Sequence, residues 1–492
     1  MKKYNMLTDK PGRSLFFFAL PMILGNLFQQ FYTTVDSIIV GQFVGEDALA
    51  AVGAAYSLTT VFIMIAIGGG IGASVITSQY LGAGLYRKMK TSVSTALITF
   101  LVLSLVLSVI GLLGNRAILI GLNTPGNILS DAVLYLEIYF LGLPFLFMYN
   151  ILSSIFNALG NSRTPLYLLI FSSLLNIGMD LVMVQTFHLG VAGVAIATVI
   201  AQGLSAVISF CLLLRLLGTY RDETNTKTAN AGEGKAEADG TEANSTEVNG
   251  TEARNAEETD AGKRKLYDFA MLGNMIKVAI PSMVQQSIVS IGMLLVQSVV
   301  NGFGSSVLAG YTAGMRIESI CIVPMIATGN AVSTFTAQNL GAGQPERVRK
   351  GYVAGVRMVA SFAVLICLIL TAFHGPIINA FLEEGSDAAA FATGNDYLTF
   401  IAFFFVCIGM KAITDGVLRG AGDVVVFTLA NLINLGIRVS FAFGFAGVIG
   451  LEAVWFAVPM GWTTNFVISF ISYLSGKWSQ KKLIKVSRGL RV

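Results

Sequence analysis

The 492-residue sequence predicts an all-α integral membrane protein, with twelve transmembrane helices in two six-helix lobes related by an internal parallel repeat. Three observations carry that prediction. The first is composition: 54% of residues are hydrophobic and 12% charged, with 33 Phe, 52 Gly and a mean hydropathy of +0.71, against roughly a quarter charged in ordinary soluble domains. The second is a series of apolar runs, each long enough to cross ~30 Å of hydrocarbon at ~1.5 Å per residue. The third is that the runs in the second part of the chain repeat the motifs of the first. A soluble enzyme is excluded.

The runs start near Ser14, Ala48, Thr91, Leu129, Thr164 and Gly190, and again near Phe269, Ser306, Tyr352, Ala388, Val424 and Val448. Short joints with turn chemistry separate them, among them Gly82-Ala83-Gly84, Asn123-Thr124-Pro125-Gly126, Gly160-Asn161-Ser162 and Gly420-Ala421-Gly422. The first run follows Lys2, Lys3, Lys10 and Arg13, contains Pro21, Gln29, Gln30 and Asp36, and has no small-residue cleavage site, so it reads as a retained helix. With the amino terminus in the cytoplasm, 26 of the 32 Lys and Arg fall on the inner side, and only Arg116 falls outside. The other five, Lys277, Arg316, Arg357, Lys411 and Arg438, lie in or at the ends of spans. That asymmetry matches the positive-inside rule and places both termini in the cytoplasm of a multi-pass cell-membrane protein. The +4 net charge is an insertion signal and gives no reason to expect a nucleic-acid partner.

Residues 221–265 break the pattern, since this stretch is Glu, Ala, Asn, Thr and Gly with 11 carboxylates. It reads as a disordered acidic linker tethering a lobe of residues 1–220 to a lobe of residues 266–492. Cys211, Cys321, Cys367 and Cys407 stand singly in apolar runs, which indicates neither a zinc site nor a disulfide framework.

The two halves match in sequence at a nearly constant offset. Ala19-Leu20-Pro21 corresponds to Ala279-Ile280-Pro281, and Leu81-Gly82-Ala83-Gly84 to Leu340-Gly341-Ala342-Gly343. Farther on, Asn176 to Asp180 corresponds to Asn434 to Arg438. Six spans per half is an even number, so both copies insert the same way up, as in parallel-repeat transporters. Two lobes around a central cleft that opens alternately to either side is the mechanism such symmetry supports.

These residues resemble a known family. The pattern Pro21, Asp36, Gly41 in the first span, Leu-Gly-Ala-Gly after spans two and eight, the run from Asn157 to Pro165 entering span five, and the run from Leu418 to Asp423 entering span eleven are together similar to the multidrug and toxic compound extrusion family. The likeness covers both halves, excluding the linker and the extreme termini. It implies a V-shaped pair of lobes that exports amphipathic, often cationic compounds in exchange for protons or sodium ions, with no other cofactor.

A carboxylate within a span is costly unless it is protonated, paired or water-facing. Asp36, Glu137, Asp180, Glu318, Asp415 and Glu452 are the candidates. Counting ~1.5 Å per residue from the span ends puts Asp36, Asp180 and Thr198 each ~10–12 Å below the outer surface, where they can meet. Asn176 lies one turn before Asp180 on the same helix face. Two carboxylates, an amide oxygen and a hydroxyl suit a proton or a hard monovalent cation such as Na⁺. The resemblance points to the same four positions, Asp36, Asn176, Asp180 and Thr198, as a cation-coupling cluster. The second half does not repeat the acidic pair, since Val296-Gln297 and Arg438 stand there, which assigns coupling to the first lobe.

In the second lobe, Glu318 and Arg438 fall at similar mid-span depth, so a structural ion pair is expected, with a second charge site as the alternative. Lys411 and Asp415 are spaced to neutralise each other, and Glu137 and Glu452 lie nearer the outer ends of their spans. Gln29, Tyr32, Tyr139, Asn150, Asn157 and Met179 supply the aromatic, thioether and amide groups of a drug-binding surface. Pro21 and Pro281 each remove a helical hydrogen bond and permit bending.

These readings lead to a secondary-active multidrug antiporter with small organic, cationic substrates, working as a monomer in lipid. The competing reading is a flippase of a lipid-linked precursor, which calls for a strongly cationic cavity, and only Arg316, Lys411 and Arg438 are available for one. An enzyme needs a nucleophile with its base or a metal set. The two histidines, His188 and His374, show no ligand spacing, and no phosphate-binding GxxxxGK[ST] loop occurs.

Overall fold

The computed structural model describes residues 5–220, 265–382, 387–481 and 483–484. The linker expected over 221–265 therefore lies outside the described residues, Lys265 excepted. The first half forms α1 (Pro11–Ile39), α2 (Glu46–Gly82), α3 (Tyr86–Gly121), α4 (Leu129–Ala158), α5 (Arg163–Leu181) and α6 (Gly190–Gly218). The second forms α7 (Phe269–Asn301), α8 (Ser305–Cys321), α9 (Val323–Gly341), α10 (Pro345–Asn379), α11 (Ala388–Ala402), α12 (Phe405–Ala421), α13 (Val424–Ile449) and α14 (Glu452–Leu474).

These fourteen helices make twelve crossings. The arms α8 and α9 are one span interrupted at Ile322, where Pro324 opens the second arm at a position whose N–H needs no helical partner. The arms α11 and α12 meet at a 53° bend and together form the tenth span. The last span begins at Glu452 rather than near Val448, because Gly450, with φ +70°, ends α13. The third and ninth spans begin at Tyr86 and Pro345, five and seven residues before the apolar runs at Thr91 and Tyr352, because polar and charged first turns precede the apolar stretch; the other starts agree to within three residues.

The repeat is visible in packing as well as in sequence. In the first half α4 packs against α2, α3 and α6, and in the second the tenth span packs likewise against the eighth, ninth and twelfth. The turns repeat too. Gly45 and Gly304, with φ +118° and +100°, open the second span of each half in a conformation that only glycine adopts cheaply. At the other end Leu85 N–H donates to Tyr80 O (3.1 Å) and Gln344 N–H to Asn339 O (2.8 Å), the long bond of a Schellman cap.

The first helix of each half also serves the other half. α1 packs on α5 but also on α9 and α10, while α7 packs on α13 but also on α2 and α3. Leu15, Phe18 and Ala19 of α1 are buried in the second half's core, and Met271 and Met275 of α7 in the first half's. This exchange ties the lobes together through buried apolar contacts. The described chain ends lie on one side, called here the inner end. Arg347, in the first turn of α10, donates to the Met6 carbonyl (3.1 and 3.2 Å) and to that of Asp9. Lys481 pairs with Asp423 at 2.7 Å, and Ile484 reaches the first half's core.

Helices in lipid gain most from close backbone approach at small residues. A Cβ on Gly416 of α12 would lie 2.4 Å from the Gly329 carbonyl oxygen of α9, and one on Gly329 2.6 Å from the Ala412 oxygen. Gly416→Leu is accordingly expected to prevent assembly of the second lobe. Size-exclusion chromatography of the detergent-solubilised variant should show loss of the monodisperse peak; an unchanged peak would mean that α9 and α12 can separate freely.

Candidate functional site

The outer end of the first lobe gathers the four residues that sequence reasoning grouped. Asp36 lies in the last turn of α1 and Tyr32 one turn earlier on the same face; Asn176 and Asp180 are likewise one turn apart at the end of α5. Thr198 follows two turns into α6. Both acid-bearing helices then continue as a π turn, Val40–Val44 after α1 and Val182–Thr186 after α5. Such turns are wider than α and interrupt the regular backbone ladder, a feature frequent at functional sites.

Asn176 is the hub. With the amide oriented so that its nitrogen and oxygen each meet a complementary group, the nitrogen donates to Tyr32 Oη at 2.7 Å and Asp180 Oδ2 at 3.2 Å, while the oxygen accepts from Thr198 Oγ1 at 3.3 Å and Thr198 N at 3.2 Å. The carboxyl groups of Asp36 and Asp180 lie within hydrogen-bonding reach of each other. Asp180 is fully buried and Asp36 half-buried. One oxygen of each, Asp36 Oδ1 and Asp180 Oδ1, is buried without a protein partner. The donor set is therefore all oxygen and carries spare acceptor capacity, which fits a proton or a hard monovalent cation. Among the described residues no group of three or more His, Cys, Asp or Glu could hold a metal ion.

Tyr135, which the sequence did not single out, also stands close enough to act electrostatically on both carboxyls, and its ring stacks on Tyr139 at 6.4 Å. Tyr139 itself is buried, with its hydroxyl lacking a partner. The tyrosines of α1 and α4 thus wall the acid pair.

The remaining expected residues are scattered. Gln29 is exposed and Met179 half-buried on the same helices as the acids. Asn150 spends its amide on the Leu146 carbonyl of its own helix (2.9 Å). Asn157 lies next to Ala158 at the inner end of α4, far along the chain axis from Tyr139. Neither amide joins the acid cluster. Glu137 and Glu452 are exposed.

The expected ion pair between Glu318 and Arg438 does not form. The Glu318 carboxylate instead accepts from the hydroxyl of Tyr397, on α11, while the Arg438 side chain lies against Gly461 of α14, leaving its Nε without a partner. The two groups stay within electrostatic range of each other, but equal depth did not bring them into direct contact. Lys411 and Asp415 do pair, at 2.9 Å, and Asp415 also accepts from Ser469 at 2.7 Å.

Pro21 is buried within a helix that runs through it without a break, and Pro281 lies inside α7 in the corresponding place. If bending at Pro21 couples the acid site to the rest of α1, Pro21→Ala should slow transport several-fold while leaving the amount of folded protein unchanged. Equal initial rates of dye efflux in matched vesicles would remove that role.

Comparison with known proteins places these features in context. The MatE family model matches residues 21–182 and again 281–443, one copy per half. The probable multidrug resistance protein YpnP of Bacillus subtilis (strain 168) is 27% identical over 494 residues, covering 98% of this chain and 99% of the relative. YoeA of the same organism, also called a probable multidrug resistance protein, is 26% identical, covering 97% of each chain. Among solved structures, one described as the outward-facing conformation of a multidrug resistance MATE family transporter of the MOP superfamily superposes with a TM-score of 0.82 at 20% identity, over 98% of this chain and 99% of that one.

Proposed function

The chain belongs to the MatE family, and from that premise we propose that it is a secondary-active efflux antiporter, exporting amphipathic or cationic organic compounds in exchange for H⁺ or Na⁺ by alternating access. It is a transporter rather than an enzyme. One observation carries the coupling part of this reading: Asp36 and Asp180 face each other beneath the outer end of the first lobe with buried, unpartnered oxygens. Two carboxyl groups in contact in a low-dielectric site need a shared proton or a cation between them. Without that ion the pair is anionic and attracts an organic cation in the cleft. With it the pair carries one negative charge fewer and the ion fills the space between the oxygens, so the attraction weakens and the site is occupied. Mutually exclusive occupancy of this kind is the minimum that exchange requires, since each ligand then lowers the affinity for the other.

The cation-coupling set is Asp36, Asn176, Asp180 and Thr198, with Tyr32 fixed by the Asn176 amide at 2.7 Å. Gln29, Tyr32 and Met179 are the substrate contacts closest in sequence to the acids. Glu318 and Arg438 shape the second lobe and are not assigned to coupling. The chain works as a monomer in the cell membrane with both termini cytoplasmic, and residues 221–265 tether lobes 1–220 and 266–492.

Uptake of a fluorescent organic cation into everted vesicles, with a pH or a sodium gradient imposed separately, tests the reading. Transport driven by one gradient and not the other supports it and names the ion. If neither gradient moves the dye, the antiporter reading fails, and movement of a lipid-linked precursor becomes the activity to measure.

A further inference from the structure

The repeated Leu-Gly-Ala-Gly segments end two helices, and they also bring those helices together. At the inner end α2 and α9, one from each half, cross so closely that a Cβ on Gly82 would lie 1.9 Å from the Gln338 carbonyl oxygen. A Cβ on Gly341 would lie 2.1 Å from that of Gln79. The two contacts are the same contact seen from either copy of the repeat. The glutamines so placed are 3% and 4% exposed. Their side chains reach in opposite directions across the seam. Gln79 Nε2 donates to the Gly420 carbonyl at the end of α12 (3.2 Å), and Gln338 Nε2 to the Ala158 carbonyl at the end of α4 (2.8 Å).

Both acceptors belong to the last turn of a helix, where carbonyls have no N–H farther along the helix to receive. Ser78 Oγ of α2 also donates to Ala158 O (3.1 Å), but that bond stays within the first half. The two glutamine bonds instead join α2 to α12 and α9 to α4, so they last only while those helices of opposite halves stay together at the inner end.

We propose that Gln79 and Gln338 form a paired latch on the inner gate, each capping a helix end of the opposite half and together setting how strongly the closed inner end is preferred. The inference rests on the alternating-access reading but concerns residues far from the acid pair. When the inner end opens, both carbonyls and both amides pass to water, so each bond contributes its net hydrogen-bond free energy to closure and no more. They act as positioning residues, and transported compounds have no need to touch them.

The test is a distance measurement on the full chain. With Cys211, Cys321, Cys367 and Cys407 replaced, spin labels at exposed Lys88 and Lys350 (each changed to Cys), which start α3 and α10 in opposite halves, report the inner opening in liposomes. Gln79→Leu with Gln338→Leu is expected to raise the ratio of long to short separations about five- to thirty-fold. Each single variant should raise it about fivefold and carries the test if the double variant does not reach the membrane. Ser78→Ala, losing a same-half bond to the same carbonyl, should leave the ratio within about twofold.

An unchanged ratio in the glutamine variants overturns the latch, as does a Ser78→Ala shift equal to that of Gln338→Leu. If the unmodified chain shows a single separation under every ion and substrate condition, alternating access itself fails, which separates that failure from the latch's.

Discussion

Asp36→Asn and Asp180→Asn should each reduce gradient-driven efflux of an organic cation to the background of vesicles lacking the protein, with the variant still inserted and folded. The expectation follows from how little else the substitutions change. Asn is nearly isosteric with Asp, and at position 180 the Asn176 amide remains to donate to the side-chain oxygen. What is lost is the ability to take up and release a proton or to offer a full negative charge to a cation. A carboxamide in place of either acid leaves the other without the partner whose charge makes ion and substrate exclusive. Structural damage predicts a different result, in which the amount of folded protein falls and a conservative Asp36→Glu does not restore it. Binding of the dye to solubilised protein separates the outcomes further, because a coupling defect leaves binding while it removes its dependence on the ion. Normal transport by both variants would make the cluster a helix-joining network and move the search for coupling to Glu318 and Arg438.

Much of this arrangement is written in local sequence. Twelve crossings follow from the length of apolar runs, and the repeat follows from motifs recurring at a fixed offset. The grouping of Asp36, Asn176, Asp180 and Thr198 needs only the helical rise and the one-turn spacing of Asn176 and Asp180. Rise gives depth, however, and says nothing about the direction a side chain takes around its helix. That is why Glu318 turns to Tyr397 rather than to Arg438, and why Asn157, matched to the drug-binding set by residue type alone, lies at the inner end instead. Tyr135 has no motif because an aromatic residue in a membrane helix most often packs, and only its neighbours on α1 and α5 give it a place by the acids. The 53° bend between Ala402 and Phe405 likewise has no proline at the break to announce it in the sequence.

The Leu-Gly-Ala-Gly segments separate the two reasons a glycine can be needed. Gly84 has φ +71° and nothing within 4 Å of the position its Cβ would take. Gly84→Ala therefore strains the cap by about 1 kcal/mol and blocks nothing. Gly82 is in ordinary helical conformation, but its Cβ would lie 1.9 Å from a backbone oxygen of α9, nearer than real Cβ atoms come to any non-bonded atom. Neither side of that contact is a flexible side chain, so the helices must part, and with them the bonds from Gln79 and Gln338. Gly82→Val is thus expected to favour the inward-open form more strongly than loss of both glutamines, and to lower dye efflux at least tenfold, while Gly84→Ala transports near the wild-type rate. Spin labels at Lys88 and Lys350 should show long separations dominant in Gly82→Val and the unmodified distribution in Gly84→Ala. Wild-type efflux by Gly82→Val would mean that the halves never need to close this tightly during turnover, and the seam would then be a resting contact outside the transport cycle.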